Sequence, residues 1–531
     1  MAKKFIVIPG FKGGLADDLF DDLEKQTYQT AKDLDVYTNQ KILTPHVKLA
    51  NDAGVTNTNK IVAIIKSQNT AGGREYKALG DDGSGKLRFF KATNLTDSTT
   101  WTSVHTSTAG SLLTTRMWFV EFKNFLFFWN SASVLSKKDL SDDSASGYTE
   151  SARSSLASAG PLFVHEGLGK LFYAYSNKIG FTTTTDWSGS DDGDAKLVLD
   201  DKYIIRSLDS FGQFLLIGAA ERNESKTSKI FIWDGSATTV DDIIDLGDIG
   251  LCAVRNVNNI IHILSVTNPT ANTRILGSKV RLYNWSGGRV DLKYELDLQQ
   301  TAALNLVPAL LDTAVDVQKD TLYFGLRGQT ANSIGIDNLI YAYGRSSSKD
   351  PKIFTPARLT TASGDFTVNW VKIIDGGIVV TTYDGTNYKC DTSHANTPAG
   401  TKSSNGVYES NAFPLNSGLP AQIKRIYINH KPLPPDCGFT VALKLYGHYP
   451  WGGTPSSDTY TDLITDEGSG ETKGKTQSTD NAQFTEISVP SSFKAARFAQ
   501  IKISFDEVSG TDAPEIIFPI LIEVETEISR P

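Results

Sequence analysis

FLLIGAAERNESKTSKIFIWDG, residues Phe214 to Gly235, is the stretch from which the fold can be read. An apolar strand, Phe214–Ile217, leads into a polar, turn-rich loop. A second strand, Lys229–Trp233, closes on Asp234-Gly235. Two short strands bounded by Gly, Asn and Ser predict a hairpin in an all-β domain. The first strand has further copies: IVAII (Ile61–Ile65), FLFFW (Phe125–Trp129), LFYAY (Leu171–Tyr175), IIHIL (Ile260–Leu264), TLYFG (Thr321–Gly325) and GIVVT (Gly377–Thr381). The partner strand recurs as KLRFF (Lys86–Phe90), KIGFT (Lys178–Thr182), KVRLYNW (Lys279–Trp285), NLIYAYG (Asn338–Gly344) and NYKCD (Asn387–Asp391). SVLSKKD (Ser133–Asp139) is the best match in the remaining copy.

Successive copies start 43 to 64 residues apart. A four-stranded propeller blade takes roughly 40–50 residues, so some copies carry insertions. Alternation within each strand sends side chains to both faces, and each copy can then pack on two neighbours. The expected fold is all-β: a β-propeller of seven blades over 51–400, with six or eight blades as alternatives. The Gly/Ser/Pro-rich joint Pro398–Gly406 ends it. Beyond the joint, Gln422–Lys431, Phe439–Tyr449, Gln483–Pro490, Ala496–Val508 and Pro514–Ile528 read as longer strands. They predict a C-terminal β-sandwich or jelly roll over 406–531. Trp451–Asn481 reads as a long insertion, the kind of loop that carries partner contacts.

Residues 1–50 read as an N-terminal arm and hairpin. Leu15, Leu19, Phe20 and Leu23 fall at helical spacing within Leu15–Asp33, which predicts a short helix or an ordered arm. Leu34–Leu49 then reads as strand, turn, strand, able to dock on a neighbour or complete the last blade.

The chain has 531 residues and a formal charge of −8. That balance argues against a sequence-independent nucleic-acid binder, which needs a basic face. Cys252, Cys390 and Cys437 stand far apart and give neither a disulfide framework nor metal spacing. Phe5–Ile8 is too short for a signal-peptide core, and no 18-residue apolar run exists, so no membrane span and cytosolic synthesis are expected.

Few motifs carry chemistry. Asp191, Asp192 and Asp194, near Asp186, offer hard oxygen ligands that suit calcium, although the downstream Glu of an EF-hand loop is missing. The reading set against calcium is a solvated acidic turn, and GDDGSG (Gly80–Gly85) is a weaker case. No GxSxG, Walker loop, GxGxxG after a strand, or HExxH is present. His46, His105, His165, His262, His394, His430 and His448 are scattered, and His262 within IIHIL reads as a core residue. Asp97 with Trp101, and Asp186 with Trp187, resemble degenerate Asp-box turns of sialidase-like blades, which are structural turns. No carboxylate pair stands out as a glycosidase acid and base, which would sit about 5–9.5 Å apart. Trp451 in HYPWGG, with Tyr446 and Tyr449 nearby, suits stacking on a sugar or anchoring a partner. Packing of Trp451 on the sandwich core is the competing reading. No catalytic, cofactor or metal residue is therefore assigned.

Three features taken together resemble tail-associated virion proteins of double-stranded DNA bacteriophages. Ile8–Asp18 followed by Ala31–Leu49 looks like their opening, a Gly-rich arm and a hairpin. Blades without WD or kelch signatures look like their propellers. Ala513–Glu525 looks like their last sandwich strand. The resemblance implies a non-enzymatic structural role in a phage virion, in the tail or its tip. Its implied partners are other tail proteins and further copies of itself. The alternative is a carbohydrate-binding or glycan-cleaving propeller at a host surface. A cellular scaffold propeller is a third, minority reading.

Overall fold

The computed structural model describes residues 2–526 except 17–22, 40, 57–59, 69–72, 82–83, 97, 108–116, 132, 143–146, 157, 223–226, 248–250, 267–277, 299–309, 327–338, 346–351, 360–366, 384–386, 394–400, 417–418, 447–459, 464–482, 492 and 494. Among the described residues the regular structure is strand, with a few 3-10 turns and no α-helix. Two compact units emerge: residues Leu49–Ile340 with Thr360–Asn396, and Met1–Lys48 with Tyr341–Leu359 and Thr397–Pro531.

Seven four-stranded sheets repeat one plan among the described residues, with strands adjacent in chain order. Their first strands are Lys60–Gln68, Phe119–Phe122, Leu162–His165, Tyr203–Phe211, Leu251–Val257, Val315–Gln318 and Thr367–Ile374. Their second strands are Arg74–Asp81, Phe125–Ser131, Lys170–Tyr175, Phe214–Glu221, Ile260–Val266, Thr321–Gly325 and Gly377–Tyr383. Six of the seven first strands line one cavity, the arrangement of a β-propeller. The seventh sheet takes its outer strand from Ala50–Asn51, which pairs with Tyr388–Thr392. Residues ahead of the first sheet thus complete the last one, joining the two ends of the array.

The opening stretch supplies the second and third strands of the fourth sheet, Phe214–Glu221 and Ser228–Trp233. Its alternation works in both directions. Leu215, Ile217, Phe231 and Trp233 pack with Phe172 and Phe181 of the third sheet. Leu216, Ile230 and Ile232 pack with Val254, Ile261 and Ile263 of the fifth. A strand covered on both faces reads as a continuous apolar run, which is why second strands dominate the sequence repeat. Ile61–Ile65 departs from that pattern: it belongs to a first strand, and its sheet's second strand is Arg74–Asp81. The two looked alike because Lys60–Gln68 is itself almost wholly buried.

Gly218 does not end its strand. A Cβ there would lie 2.7 Å from Leu251 Cδ2 and 2.9 Å from Val254 Cγ2, so the glycine lets the fifth sheet approach. Gly325 holds the same register in the sixth sheet, where a Cβ would lie 2.4 Å from Val368 Cγ1.

In the other unit, one hydrophobic core takes side chains from a six-stranded and a seven-stranded sheet. The predicted strands appear as Ala421–His430, Gly438–Tyr446, Phe484–Ser488, Phe498–Glu507 and Ile516–Thr526. The N-terminal residues are woven into these sheets. Ala2–Ile8 pairs with Ile516–Thr526, and Thr27–Lys32 with Gly406–Ser410. Of the segment expected as a short helix or ordered arm within Leu15–Asp33, residues 17–22, with Leu19 and Phe20, lie outside the described residues; in the described part no α-helix forms, Leu23–Lys25 makes one 3-10 turn and Thr27–Lys32 is a strand. Tyr28 and Ala31 are fully buried, and the Tyr28 ring lies 6.0 Å from that of Tyr408 across the strand pair. Cross-strand burial outweighs helical spacing in so short a segment. Of the expected insertion Trp451–Asn481, only residues 460–463 are among those described.

Candidate functional site

The cavity at the centre of the propeller unit has a volume of about 310 Å³. Sheet register decides what lines it. In six sheets one residue of the first strand pairs with the third residue of the second strand. The pairs are Val120 with Phe127, Phe163 with Phe172, Asp209 with Leu216, Arg255 with His262, Asp316 with Tyr323, and Lys372 with Val379. All six first-strand residues face the cavity. Going round the sheets the wall reads Val, Phe, Asp, Arg, Asp, Lys: two apolar positions, then four of alternating charge.

The charges are knitted across sheets. Arg255 Nη1 donates to Asp312 Oδ1 at 2.7 Å and to Ser207 Oγ at 3.1 Å. Its Nη2 donates to the backbone oxygens of Asp312 at 2.6 Å and Val315 at 3.3 Å. Asp312 Oδ1 also accepts from Ser207 Oγ at 2.5 Å, and Asp312 Oδ2 from Trp118 Nε1 at 3.1 Å. A bulge at Arg206, where the register shifts between Ile205 and Ser207, precedes Ser207. Lys372 Nζ donates to Asp316 Oδ1 at 2.9 Å, and Ile373 N to Asp316 Oδ2 at 2.8 Å. Four sheets are thereby pinned at the cavity: the second by Trp118, the fourth by Ser207, the fifth by Arg255, and the seventh by Lys372. The stretch Asp312–Asp316 receives all four.

Burial works against the Arg255 charge, but Asp312 and Asp209 outweigh it and raise its pKa. Asp209 differs from the other lining carboxylates in having no ion pair among the described residues. It accepts Asn256 N at 2.8 Å and Ser210 N at 2.7 Å. Burial pushes its carboxyl up to about 6, against the pull of Arg255 and the two backbone donors.

The residues nominated from sequence do not gather here. Asp192 organises its own turn, accepting Thr182 Oγ1 at 2.7 Å, Thr183 N at 2.6 Å, Thr183 Oγ1 at 2.8 Å, Thr184 Oγ1 at 2.9 Å and Gly189 N at 3.0 Å. Burial opposes its ionisation, but these donors outweigh it and hold the carboxyl well below the usual range. Asp194 faces Tyr173 and Arg153, and Asp186 faces Ser188. Among the described residues no three His, Cys, Asp or Glu side chains form a metal-sized cluster. Trp187 packs edge-on against Phe127 at 5.7 Å, and the Arg153 guanidinium lies over its ring. Trp101 is buried and donates from Nε1 to Asp52 Oδ2 at 2.9 Å. Asp52 also accepts Gly54 N and Thr99 N, tying the closing strand to the first sheet. His262 is buried, as expected of a core residue. Asp97, His394, His448, Tyr449 and Trp451 lie outside the described residues, and of Gly80–Gly85 only 80–81 and 84–85 are described. Among the described residues no helix is long and apolar enough to cross a membrane.

Sequence reasoning missed Asp209, Arg255, Asp316 and Lys372 because first strands carry little pattern. A usable signal existed: each lies five residues before the start of a recognised apolar strand.

No family model and no curated protein matches the chain. Solved structures similar to it include the computationally designed Ika8 protein, at 10% identity, covering 68% of this chain and 98% of that one, with a TM-score of 0.37. The N-terminal domain of Nup159 matches at 10% identity over 73% and 95%, with a TM-score of 0.35. The Dos1 propeller matches at 10% over 70% and 94%, with a TM-score of 0.38. Likeness of this degree carries no functional argument, and the propeller reading stands on the order of the sheets.

Proposed function

We propose that this chain is a non-enzymatic structural subunit of a large assembly, built as a seven-bladed propeller with a C-terminal sandwich. In line with the sequence resemblance, the assembly is a phage virion, put together in the host cytoplasm, and the subunit belongs to its tail or tail tip. Its partners are other tail proteins and further copies of itself. The observation that carries the reading is the brace at the cavity, where charged groups of neighbouring sheets hold one another. Arg255 and Asp312 bond each other, Ser207, Trp118 and the backbone, and Asp316 bonds Lys372 Nζ and Ile373 N. Bonds of this kind between sheets stiffen the array.

The test is mass spectrometry of gradient-purified particles from the producing lysate, together with the particles made when the gene is disrupted. The chain should be present in several copies per particle, and the disrupted line should yield defective tails. Its absence from intact, infectious particles overturns the reading. Asp209 favours a second reading, because a carboxyl titrating near 6 beside an apolar wall suits a glycan acid. Cleavage of host surface polysaccharide, abolished by Asp209→Asn, would establish that alternative.

A further inference from the structure

Among the described residues the six-stranded sheet has two edges that no strand covers, and the two fit each other. Its order runs Phe484–Ser488, Ala421–His430, Ile516–Thr526 and then Ala2–Ile8, which lies beside residues 520–526. Among the described residues no strand covers the far side of either Phe484–Ser488 or Ala2–Ile8. A strand edge left open offers unpaired N–H and C=O groups to another chain. Both edges also expose large apolar side chains: Phe5 is 54% exposed, Val7 44% and Phe484 46%. Phe5 and Phe484 belong to one aromatic row across the outer face. The Phe5 ring lies 6.2 Å from Tyr427, and Tyr427 lies 5.8 Å from Phe484, nearly parallel.

We propose that copies of this chain join head to tail, the Ala2–Ile8 edge of one adding to the Phe484–Ser488 edge of the next. Three features of the sheet agree on this occupant. Neighbouring strands along the path are antiparallel, and four lie between the edges inclusively, so repetition keeps every junction antiparallel with the outer face outward. Setting Phe5 opposite Phe484 in that antiparallel junction sets Lys3 opposite Glu486. The aromatic row then continues from copy to copy, flanked by opposite charges. A two-fold pairing of Ala2–Ile8 with itself about Phe5 would instead set Lys3 opposite Val7 and place no opposite charge across the seam. A head-to-tail contact is heterologous and builds rings or longer arrays, not dimers. The inference rests on the assembly reading for its purpose, and on the two edges for its geometry.

The test uses the full chain in native mass spectrometry and analytical ultracentrifugation. Wild type should form species larger than a dimer. Phe5→Lys and Phe484→Lys each spoil one edge at an exposed position, and with like charges at both positions the two spoiled edges cannot pair with each other; each alone should sediment as a monomer with an unchanged melting transition. Mixed together they should form a one-to-one dimer and nothing larger, since each retains the edge the other has lost. Three outcomes overturn the proposal: a wild type that stays monomeric, a variant that keeps the wild-type size, or a Phe484→Lys protein that dimerises alone. A monomeric wild type that is still recovered in particles would sink this contact and leave the assembly reading standing. Multimers absent from every particle would do the reverse.

Discussion

Replacing Asp312 with alanine tests whether the cavity charges are a brace. The carboxylate accepts from Arg255, Ser207 and Trp118, and its side chain is 7% exposed against 17% for Arg255. Removing one partner of a buried ion pair costs about 3–5 kcal/mol, mostly because the other charge stays behind unpaired. Two effects pull this down. Arg255 keeps the backbone oxygens of Val254, Asp312 and Val315, and Asp209 and Asp316 still attract it. One adds to it: Trp118 Nε1 loses its acceptor, worth about 1 kcal/mol. The expected loss is about 3 kcal/mol. Asp312→Leu with Arg255→Met removes both charges and should cost less than Asp312→Ala alone. The assay is equilibrium urea unfolding followed by tryptophan fluorescence. Seven of the eight tryptophans lie in the propeller unit, so the signal reports on it. A loss below about 1 kcal/mol for Asp312→Ala, or a double variant as unstable as the sum of its singles, refutes the brace.

Asp209 makes stability fall as pH rises. Its carboxyl titrates near 6 in the fold against about 3.9 unfolded, so the folded state binds the extra proton between those values. The contribution is fully present below pH 4 and lost by pH 6 and above, about 3 kcal/mol in all; Asp209→Asn should flatten that part of the pH profile in urea titrations. Asp192→Ala should destabilise the propeller unit by about 2–3 kcal/mol through its lost turn bonds, with the melting temperature as readout. Because the Asp192 carboxyl is held low, its contribution is present above the unfolded pKa and lost only on acidification through the folded value. Added calcium should not shift the wild-type melting temperature. Gly325→Ala should cost about 1–3 kcal/mol by overpacking Val368, whereas Gly288→Ala, with open space at the Cβ position, should be neutral.

The hairpins were legible because a strand enclosed by two neighbouring sheets must be apolar on both sides. Phe214–Ile217 and Lys229–Trp233 carry that demand in their composition. The cavity wall was not legible, because Asp209, Arg255, Asp316 and Lys372 are single residues in first strands with no periodic signature. The Asp191–Asp194 cluster shows the opposite error. Acidic residues close in sequence turned to different donors, Asp192 inward to its threonines and Asp194 towards Tyr173. Strand Thr27–Lys32, at the end of the segment with helical spacing, was not legible for a related reason: its partner Gly406–Ser410 is almost four hundred residues away.

All-β character and a strand pair that repeats along most of the chain are written into its composition, since burial on two faces is a local demand. Which strand of each sheet faces the cavity, which charges meet there, and which edges no described strand covers are settled by tertiary contacts. Those depend on register and closure between residues far apart in the chain, and no local pattern encodes them.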